Sequence, residues 1–281
     1  MSLVPTVELL RAARQAGYAV GAFNVITLEC GEAIVTAAEQ TEAPVILQVS
    51  QNAVMYHGSL EPIAAACRAL AQGSRVPVAI HLDHATSREL CERAVAAGFS
   101  SVMLDASSQP WTENVRLTTE TAAWVHEQGA TLEAELGVVG GKDGIHAPEA
   151  RTDPDDARRF VEQTGVDALA VAVGTSHAML DRSARIDFEL IERLRATVPV
   201  PLVLHGSSGV RDEDLAEAIR RGITKINIAT QMNQAFSGAV RAHLERDAVI
   251  VDPRTYLASG RLAMATAVAA KLRLFGSAGR A

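Results

Sequence analysis

The chain has 281 residues, of which 48% are hydrophobic and 21% are charged, and its formal net charge is −7. This balance excludes an intrinsically disordered protein, which would combine low hydrophobicity with a high net charge. A mildly acidic chain also argues against a nucleic-acid-binding protein, because such proteins carry a basic face. A small anionic metabolite could still bind at a local site within an acidic chain.

Cysteine usage and the absence of long apolar runs predict a soluble, cytoplasmic protein. The three cysteines, Cys30, Cys67 and Cys91, form no Cys-x-x-Cys pair, so neither a disulfide framework nor a cysteine-built zinc site is expected. The N-terminal segment carries charges early and lacks the apolar core of a signal peptide. No window approaches the ~18 apolar residues of a membrane span, so no membrane partner is expected.

The hydrophobic pattern alternates between two periods along the chain. Short apolar runs rich in β-branched residues predict eight strands, at 19–25, 44–50, 77–84, 101–107, 131–137, 167–174, 201–207 and 225–230. Near-continuous apolar strands are typical of a parallel sheet that is buried on both faces. Stretches with helical spacing lie between them, including 28–39, 61–72, 87–97 and 212–221.

The order of these elements predicts the fold. Gly98, Gly129 and Gly222 stand where a helix would end before the next strand. Eight successive strand–helix units without a long linker predict one α/β domain over residues 1–281, a (β/α)8 TIM barrel. Helices predicted at 230–245 and 252–274 form a C-terminal extension of about 231–281, which we expect to pack on a partner subunit. The Gly-rich stretch 138–152 is long enough to be a functional loop.

Polar residues stand at or just after the end of each predicted strand. In a TIM barrel these ends form the active-site face, and burying so many unpaired polar groups would be unfavourable without a function. The residues at these ends are Asn24, Ser50, Asp83, His84, Asp105, Glu135, His177, His205, Asn227 and Thr230.

Three of these residues are histidines, and together they predict a metal site. Any one of His84, His177 and His205 would more often be an ordinary buried or loop histidine. Three neutral imidazoles with an open fourth position, however, are typical of a catalytic zinc centre. The segment LHGSSGV (204–210) ahead of a predicted helix favours phosphate binding, with an ordinary strand–helix turn as the alternative.

Eight segments in order across nearly the whole chain resemble the class II, zinc-dependent fructose-bisphosphate/tagatose-bisphosphate aldolase family. They are VGAFNV (20–25), HLDH (81–84), SVMLDAS (101–107), EAELGVVGG (133–141), AVGTSH (172–177), LHGSSG (204–209), KINIAT (225–230) and the tail 252–281.

The resemblance implies a metal centre and an acid–base group. His84, His177 and His205 would bind one catalytic Zn²⁺ ion per subunit, while Asp105 and Glu135 would lie behind these ligands or replace them when the metal shifts. Asp83 would protonate the aldehyde oxygen during condensation and take that proton back during cleavage. A raised pKa caused by burial would help Asp83 in this role.

The resemblance also implies a donor site for dihydroxyacetone phosphate and a homodimeric or homotetrameric assembly. A monovalent cation, Na⁺ or K⁺, would lie beside the phosphate, near the carbonyls of residues 176–178 and 206. The expected substrate-binding residues are Asn24, Ser50, Ala178, Gly206, Ser207, Ser208, Asn227, Ile228, Ala229 and Thr230.

Three departures from the family pattern bear on the reaction. The loop after the fifth strand reads GGKDG instead of the usual GG-x-E-D, so Asp143 is the nearest candidate for the base that removes the α-proton, with Glu149 weaker. Ala229 stands where fructose-bisphosphate enzymes usually have aspartate, and Asn233 replaces a common basic residue. These two residues favour a tagatose-type substrate or an altered acceptor over fructose 1,6-bisphosphate.

Two other functions stay open at this point. One is a metal-dependent isomerase or epimerase of sugar phosphates, for which the sequence shows no second pair of carboxylates. The other is a non-catalytic relative that binds a sugar phosphate, against which Asp83 and the three histidines argue.

Overall fold

The fold is a closed barrel of eight parallel strands in sequential order, as a computed structural model describes it for residues 2–136, 151–175 and 184–281. The strands are β1 Val20–Asn24, β2 Val45–Ser50, β3 Val78–Ala85, β4 Ser101–Leu104, β5 Thr131–Glu135, β6 Ala168–Ala170, β7 Leu202–Leu204 and β8 Ile223–Ile228. The prediction of a (β/α)8 TIM barrel is therefore confirmed.

Helices connect the strands and surround the barrel. They are α1 Thr6–Ala16, α2 Leu28–Thr41, α3 Gln51–His57, α4 Glu61–Gly73, α5 Arg88–Ala96, α6 Trp111–Glu127, α7 Pro154–Thr164, α8 Phe188–Thr197, α9 Asp212–Arg221, α10 Thr230–Arg246 and α11 Pro253–Leu274. A short 3-10 helix, Ser207–Gly209, follows β7. No helix within the described residues is long and apolar enough to cross a membrane.

Glycine ends several helices, as the sequence predicts. Gly98, Gly129 and Gly222 all have positive φ angles, the last at +137°, which a residue with a Cβ atom adopts only with strain. Several strands are shorter than predicted, because the apolar runs continue past the last ladder hydrogen bond. The strand β8 starts two residues earlier than predicted, at Ile223.

The C-terminal extension packs on its own barrel. Helix α11 buries Met264, Val268 and Leu272 in the same hydrophobic cluster that contains Ile34 and Ala38 of α2. Arg261 of α11 also forms an ion pair with Glu32 of α2. One face of the extension is thus used within the chain, and packing on a partner subunit stays a prediction.

Two glycines provide a matched test of backbone strain. Gly174 has a φ of +105°, and a Cβ there would overlap the carbonyl oxygen of Arg185, whereas Gly238 in α10 has open space around it. We expect Gly174→Ala to lower the free energy of unfolding by about 2 kcal/mol and Gly238→Ala to raise it by ~1 kcal/mol. Urea unfolding measures both, and equal effects would contradict this account.

Candidate active site

A cavity of about 150 Å³ opens at the carboxyl ends of the strands. Ten of the residues predicted from the sequence line it, together with Gln48 and Asn52. The lining consists of Asn24, Gln48, Ser50, Asn52, Asp83, His84, Gly206, Ser207, Ser208, Asn227, Ala229 and Thr230. Polar residues from β1, β2, β3 and β8 therefore meet at one place, as the strand-end pattern predicts.

An irregularity in β3 places Asp83 and His84 on the same side of the barrel wall. Neighbouring residues of a regular strand point to opposite faces. Here the register against β4 shifts between Leu82 and Ala85, and His84 has a φ of +52°. A β-branched or bulky residue rarely adopts this left-handed conformation, which costs about 1–3 kcal/mol. The bulge turns both functional side chains towards the cavity.

Carboxylates fix the orientation of His84. Its Nδ1 donates to Oδ2 of Asp105 at 2.8 Å, which leaves Nε2 facing the cavity. Burial disfavours the charged ring, but Asp83, Asp105 and Glu135 outweigh burial and raise the pKa of His84 to about 10. The site therefore attracts positive charge at this position.

His205 is oriented in the same way from the other side. Its Nε2 lies 2.9 Å from Oε1 of Glu133, and a carboxylate can only accept, so Nε2 carries the proton. Its Nδ1 then faces Nε2 of His84 at 3.0 Å. The backbone carbonyl of His205 accepts a hydrogen bond from Thr175 Oγ1 at 2.7 Å, which fixes the main chain below the ring.

These two histidines fit a metal ion. Lone pairs on Nε2 of His84 and Nδ1 of His205 face each other, and at 3.0 Å they require a shared cation, either a proton or a metal. Tetrahedral zinc with Zn–N bonds near 2.05 Å would hold two such nitrogens about 3.3 Å apart. Ligand atoms of Asp83, His84 and His205 lie within 4.8 Å of one another, as do those of His84, Asp105 and Glu135.

Asp83 is held by a hydrogen bond from β8. Asn227 Nδ2 donates to Oδ1 of Asp83 at 3.1 Å. Burial by itself would raise the pKa of Asp83, but His84, His205 and Lys225 outweigh burial, so this pKa lies below its ordinary value. The raised pKa that would help Asp83 in acid–base chemistry is therefore opposed here by the positive groups around the carboxylate. Asp83 is ionised at neutral pH.

The two carboxylates behind His84 differ in charge. Burial raises the pKa of Asp105, but the hydrogen bonds from His84 and Ser107 outweigh burial and hold this pKa well below its usual range. Glu135 is fully buried, and burial followed by the charge of Asp105 raises its pKa well above the ordinary value. Asp105 is therefore the charged partner of His84, and Glu135 can hold a proton.

The turn after β7 is tied to the end of β8. Gly206 adopts a φ of +65°, Ser207 Oγ donates to the carbonyl of Asn227 at 2.5 Å, and Gln231 Nε2 donates to the carbonyl of Ser208 at 2.8 Å. Helix α10 begins at Thr230 without a side-chain cap. Its first N–H groups are thus available beside the cavity.

Several predicted site residues are not among those that line the cavity. Asp143, His177, Ala178 and the weaker candidate Glu149 lie outside the described residues. The side chain of Ile228 is buried in the hydrophobic cluster around the barrel and is not among the lining residues.

The sequence reasoning missed a second layer of polar residues inside the barrel. Gln48, Glu133 and Lys225 each precede a strand-end residue by two positions, at Ser50, Glu135 and Asn227. Because side chains alternate along a strand, residues two apart share a face. A polar residue two positions before a strand-end residue is therefore the sequence signal by which this layer could have been predicted. His81, likewise two residues before Asp83, is buried in this layer.

Known proteins resemble the chain over nearly its whole length. The family described as fructose-bisphosphate aldolase class-II matches residues 4–280. A fructose-bisphosphate aldolase of Geobacillus stearothermophilus is 42% identical over 285 residues, covering 100% of this chain and 99% of that protein.

Two crystal structures of relatives share the fold over nearly their full lengths. The YdjI aldolase of Escherichia coli K12 has a TM-score of 0.90 and 36% identity, covering 99% of both chains. A putative fructose-1,6-biphosphate aldolase of Coccidioides immitis has a TM-score of 0.85 and 29% identity, covering 98% of this chain and 97% of that one. The chain therefore belongs to the class II fructose-bisphosphate aldolases, a family of lyases that act on sugar phosphates and generally depend on a metal ion.

Proposed function

We propose that the protein cleaves and forms the C–C bond of a ketose phosphate, giving dihydroxyacetone phosphate and an aldehyde, with Zn²⁺ held by His84, His177 and His205. The observation that carries this proposal is the convergence of His84 Nε2 and His205 Nδ1 at 3.0 Å. The N–H on the other nitrogen of each ring donates a hydrogen bond to a carboxylate, an arrangement typical of histidine ligands. Zn²⁺ would act as a Lewis acid that stabilises negative charge developing on the ketone oxygen.

Asp83 is the proposed proton acceptor in the cleavage direction. Its carboxylate is ionised, lies in the cavity and is oriented by Asn227, so it can take the proton from the hydroxyl group next to the breaking bond. In condensation it returns this proton to the aldehyde oxygen. A base must also move the α-proton of dihydroxyacetone phosphate, and we assign this role to Asp143 in the loop after β5.

The donor phosphate is proposed to bind between the turn after β7 and the start of α10. Backbone N–H groups at the N-terminus of a helix attract anions, and Ala229 and Thr230 at this terminus line the same cavity as Ser207 and Ser208. Ala178 and the backbone at Ile228 would complete this subsite, while Asn24 and Ser50 would contact the substrate from β1 and β2. A monovalent cation, Na⁺ or K⁺, would sit near Gly206.

The composition of the cavity lining favours an acceptor aldehyde that carries no second phosphate. No arginine or lysine occurs among the described residues that line the cavity. Asn233, one helical turn beyond Ala229, is neutral where a basic residue is common. Tagatose-type bisphosphates are the second candidate substrates, because of Ala229. A homodimer or homotetramer in the cytoplasm is the expected form of the protein.

Loss of His84 should abolish zinc binding and cleavage together. His84→Ala removes one ligand and the group that holds Asp105, so we expect no stoichiometric zinc by elemental analysis and no triose phosphate release. His126→Ala is the matched control, because His126 also contacts a carboxylate, Asp167, at 2.7 Å but is outside the cavity lining. An active, zinc-loaded His84→Ala protein would exclude the ligand assignment, and zinc binding without cleavage in the wild type would favour a non-catalytic relative.

Zinc affinity should depend on pH because a proton competes for His84. The pKa of this ring is raised to about 10, so between pH 7 and 9 the metal-free ring is charged and must lose its proton to bind. Affinity should therefore fall about tenfold for each unit by which the pH is lowered in this range. Chelator competition at several pH values measures this slope, and a flat profile would show that His84 does not coordinate the ion.

A panel of substrates tests the acceptor assignment. We expect kcat/KM for cleavage of at least one ketose 1-phosphate to exceed that for fructose 1,6-bisphosphate and tagatose 1,6-bisphosphate, because the described lining offers no cation for the far phosphate. A coupled assay for dihydroxyacetone phosphate measures all three. Preference for a bisphosphate over every ketose 1-phosphate would overturn the assignment. Interconversion of the sugars without triose release would identify an isomerase or epimerase instead.

A further inference from the structure

An ion pair lies inside the barrel beneath the candidate metal site. Lys225 of β8 and Glu133 of β5 are 0% and 3% exposed, and Lys225 Nζ lies 2.7 Å from Oε2 of Glu133. Barrel interiors are normally filled by branched apolar residues. A buried ion pair is weak evidence for stability, because apolar residues of similar volume are often as good or better. The pair therefore calls for a role other than packing.

The second oxygen of Glu133 connects this pair to His205. Oε1 accepts from Nε2 of His205 at 2.9 Å, while Oε2 is occupied by Lys225. Asn227 Nδ2 lies 3.2 Å from the same Nε2, but an amide nitrogen only donates, as it does to Asp83 at 3.1 Å, so it cannot accept the proton of Nε2. Glu133 is therefore the acceptor that keeps the proton on Nε2 and the lone pair on Nδ1, which is the atom facing His84.

His81 also lies near Glu133, but it does not compete with Lys225 and His205 for hydrogen bonds to this carboxylate. His81 Nε2 is 3.8 Å from Oε2 of Glu133, which is beyond hydrogen-bond distance. His81 Nδ1 is engaged by Ser101 Oγ at 2.7 Å, and Ser101 in turn donates to Thr6 at 2.7 Å. Lys225 and His205 thus divide the two oxygens of Glu133 between them.

We infer that Lys225 and Glu133 are positioning residues for the metal centre. Lys225 holds Glu133, and Glu133 holds His205 in the tautomer whose Nδ1 can coordinate. This inference rests on the proposed zinc centre. Partners of metal-bound histidines typically contribute about 10- to 100-fold to metal affinity. Neither Lys225 nor Glu133 is among the described residues that line the cavity.

Zinc affinity of matched variants tests this inference. Lys225→Met leaves the buried carboxylate without its cation, and we expect the zinc Kd to rise about 10- to 100-fold. Glu133→Gln should also raise the zinc Kd, because the ammonium group of Lys225 then lacks a counter-charge beside His205. In the double variant an amide carbonyl accepts from His205 with no buried charge, so its Kd should lie closer to the wild-type value than that of either single variant.

A neighbouring residue controls for simple destabilisation. Ile226 adjoins Lys225 in β8, is fully buried and packs in the cluster outside the barrel wall. Ile226→Ala should lower the Tm of the metal-free protein and leave the zinc Kd near the wild-type value. An unchanged Kd in Lys225→Met, or an equal increase in Ile226→Ala, would overturn the inference.

The tautomer of His205 can be measured with Lys225 and Glu133 both intact. Ring ¹⁵N signals of metal-free protein, assigned with His205→Gln, should show a protonated Nε2 and an unprotonated Nδ1 at His205. The reverse pattern would overturn the inference. If zinc binds but no ketose phosphate is cleaved, the proposed function fails while the positioning role stands. If the wild-type protein cleaves a ketose phosphate but Lys225→Met leaves its zinc affinity unchanged, the positioning role fails while the proposed function stands.

Discussion

Hydrogen bonds from histidine to carboxylate are the interaction on which the candidate active site depends. An imidazole has two nitrogens, and the one that faces the cavity must carry a lone pair if it is to coordinate a metal. Asp105 takes the proton of His84 Nδ1, and Glu133 takes that of His205 Nε2. The two rings are perpendicular, with centroids 4.8 Å apart, so their remaining nitrogens meet at one point. Carboxylates on two other strands thus determine what the histidines can do.

The geometry of a parallel barrel limits how such partners can be supplied. One strand offers every second residue to the interior, and Asp83 with His84 exceeds that limit. The bulge in β3 resolves the conflict by giving His84 a left-handed backbone. Strain of this kind persists where surrounding contacts enforce it, and the hydrogen bond to Asp105 is such a contact. The strained backbone conformation of His84 is thus maintained by the contacts that its side chain makes in the site.

Hydrophobic periodicity and glycine positions were sufficient to predict the eight strands and several of the helices around them, because both are set by local sequence. Residues at the strand ends, such as Asn24, His84 and Asn227, could be predicted from their place after an apolar run. The bulge at His84 could not, because register depends on the neighbouring strand. Glu133 and Lys225 were also missed, since a charged pair inside a barrel is recognised only when both partners are seen across it.

The charge distribution explains how an acidic protein can bind a sugar phosphate without a basic surface. Lys225 is a buried lysine inside the described part of the barrel, and its charge is already matched by Glu133. Among the described residues, the candidate phosphate subsite therefore offers backbone N–H groups and the hydroxyl of Ser208, which are neutral. Such groups are well suited to a dianion that must enter and leave, because they require no mobile counter-charge. A net charge of −7 is thus compatible with a sugar phosphate bound at a local site, because such a site does not depend on the charge of the whole surface.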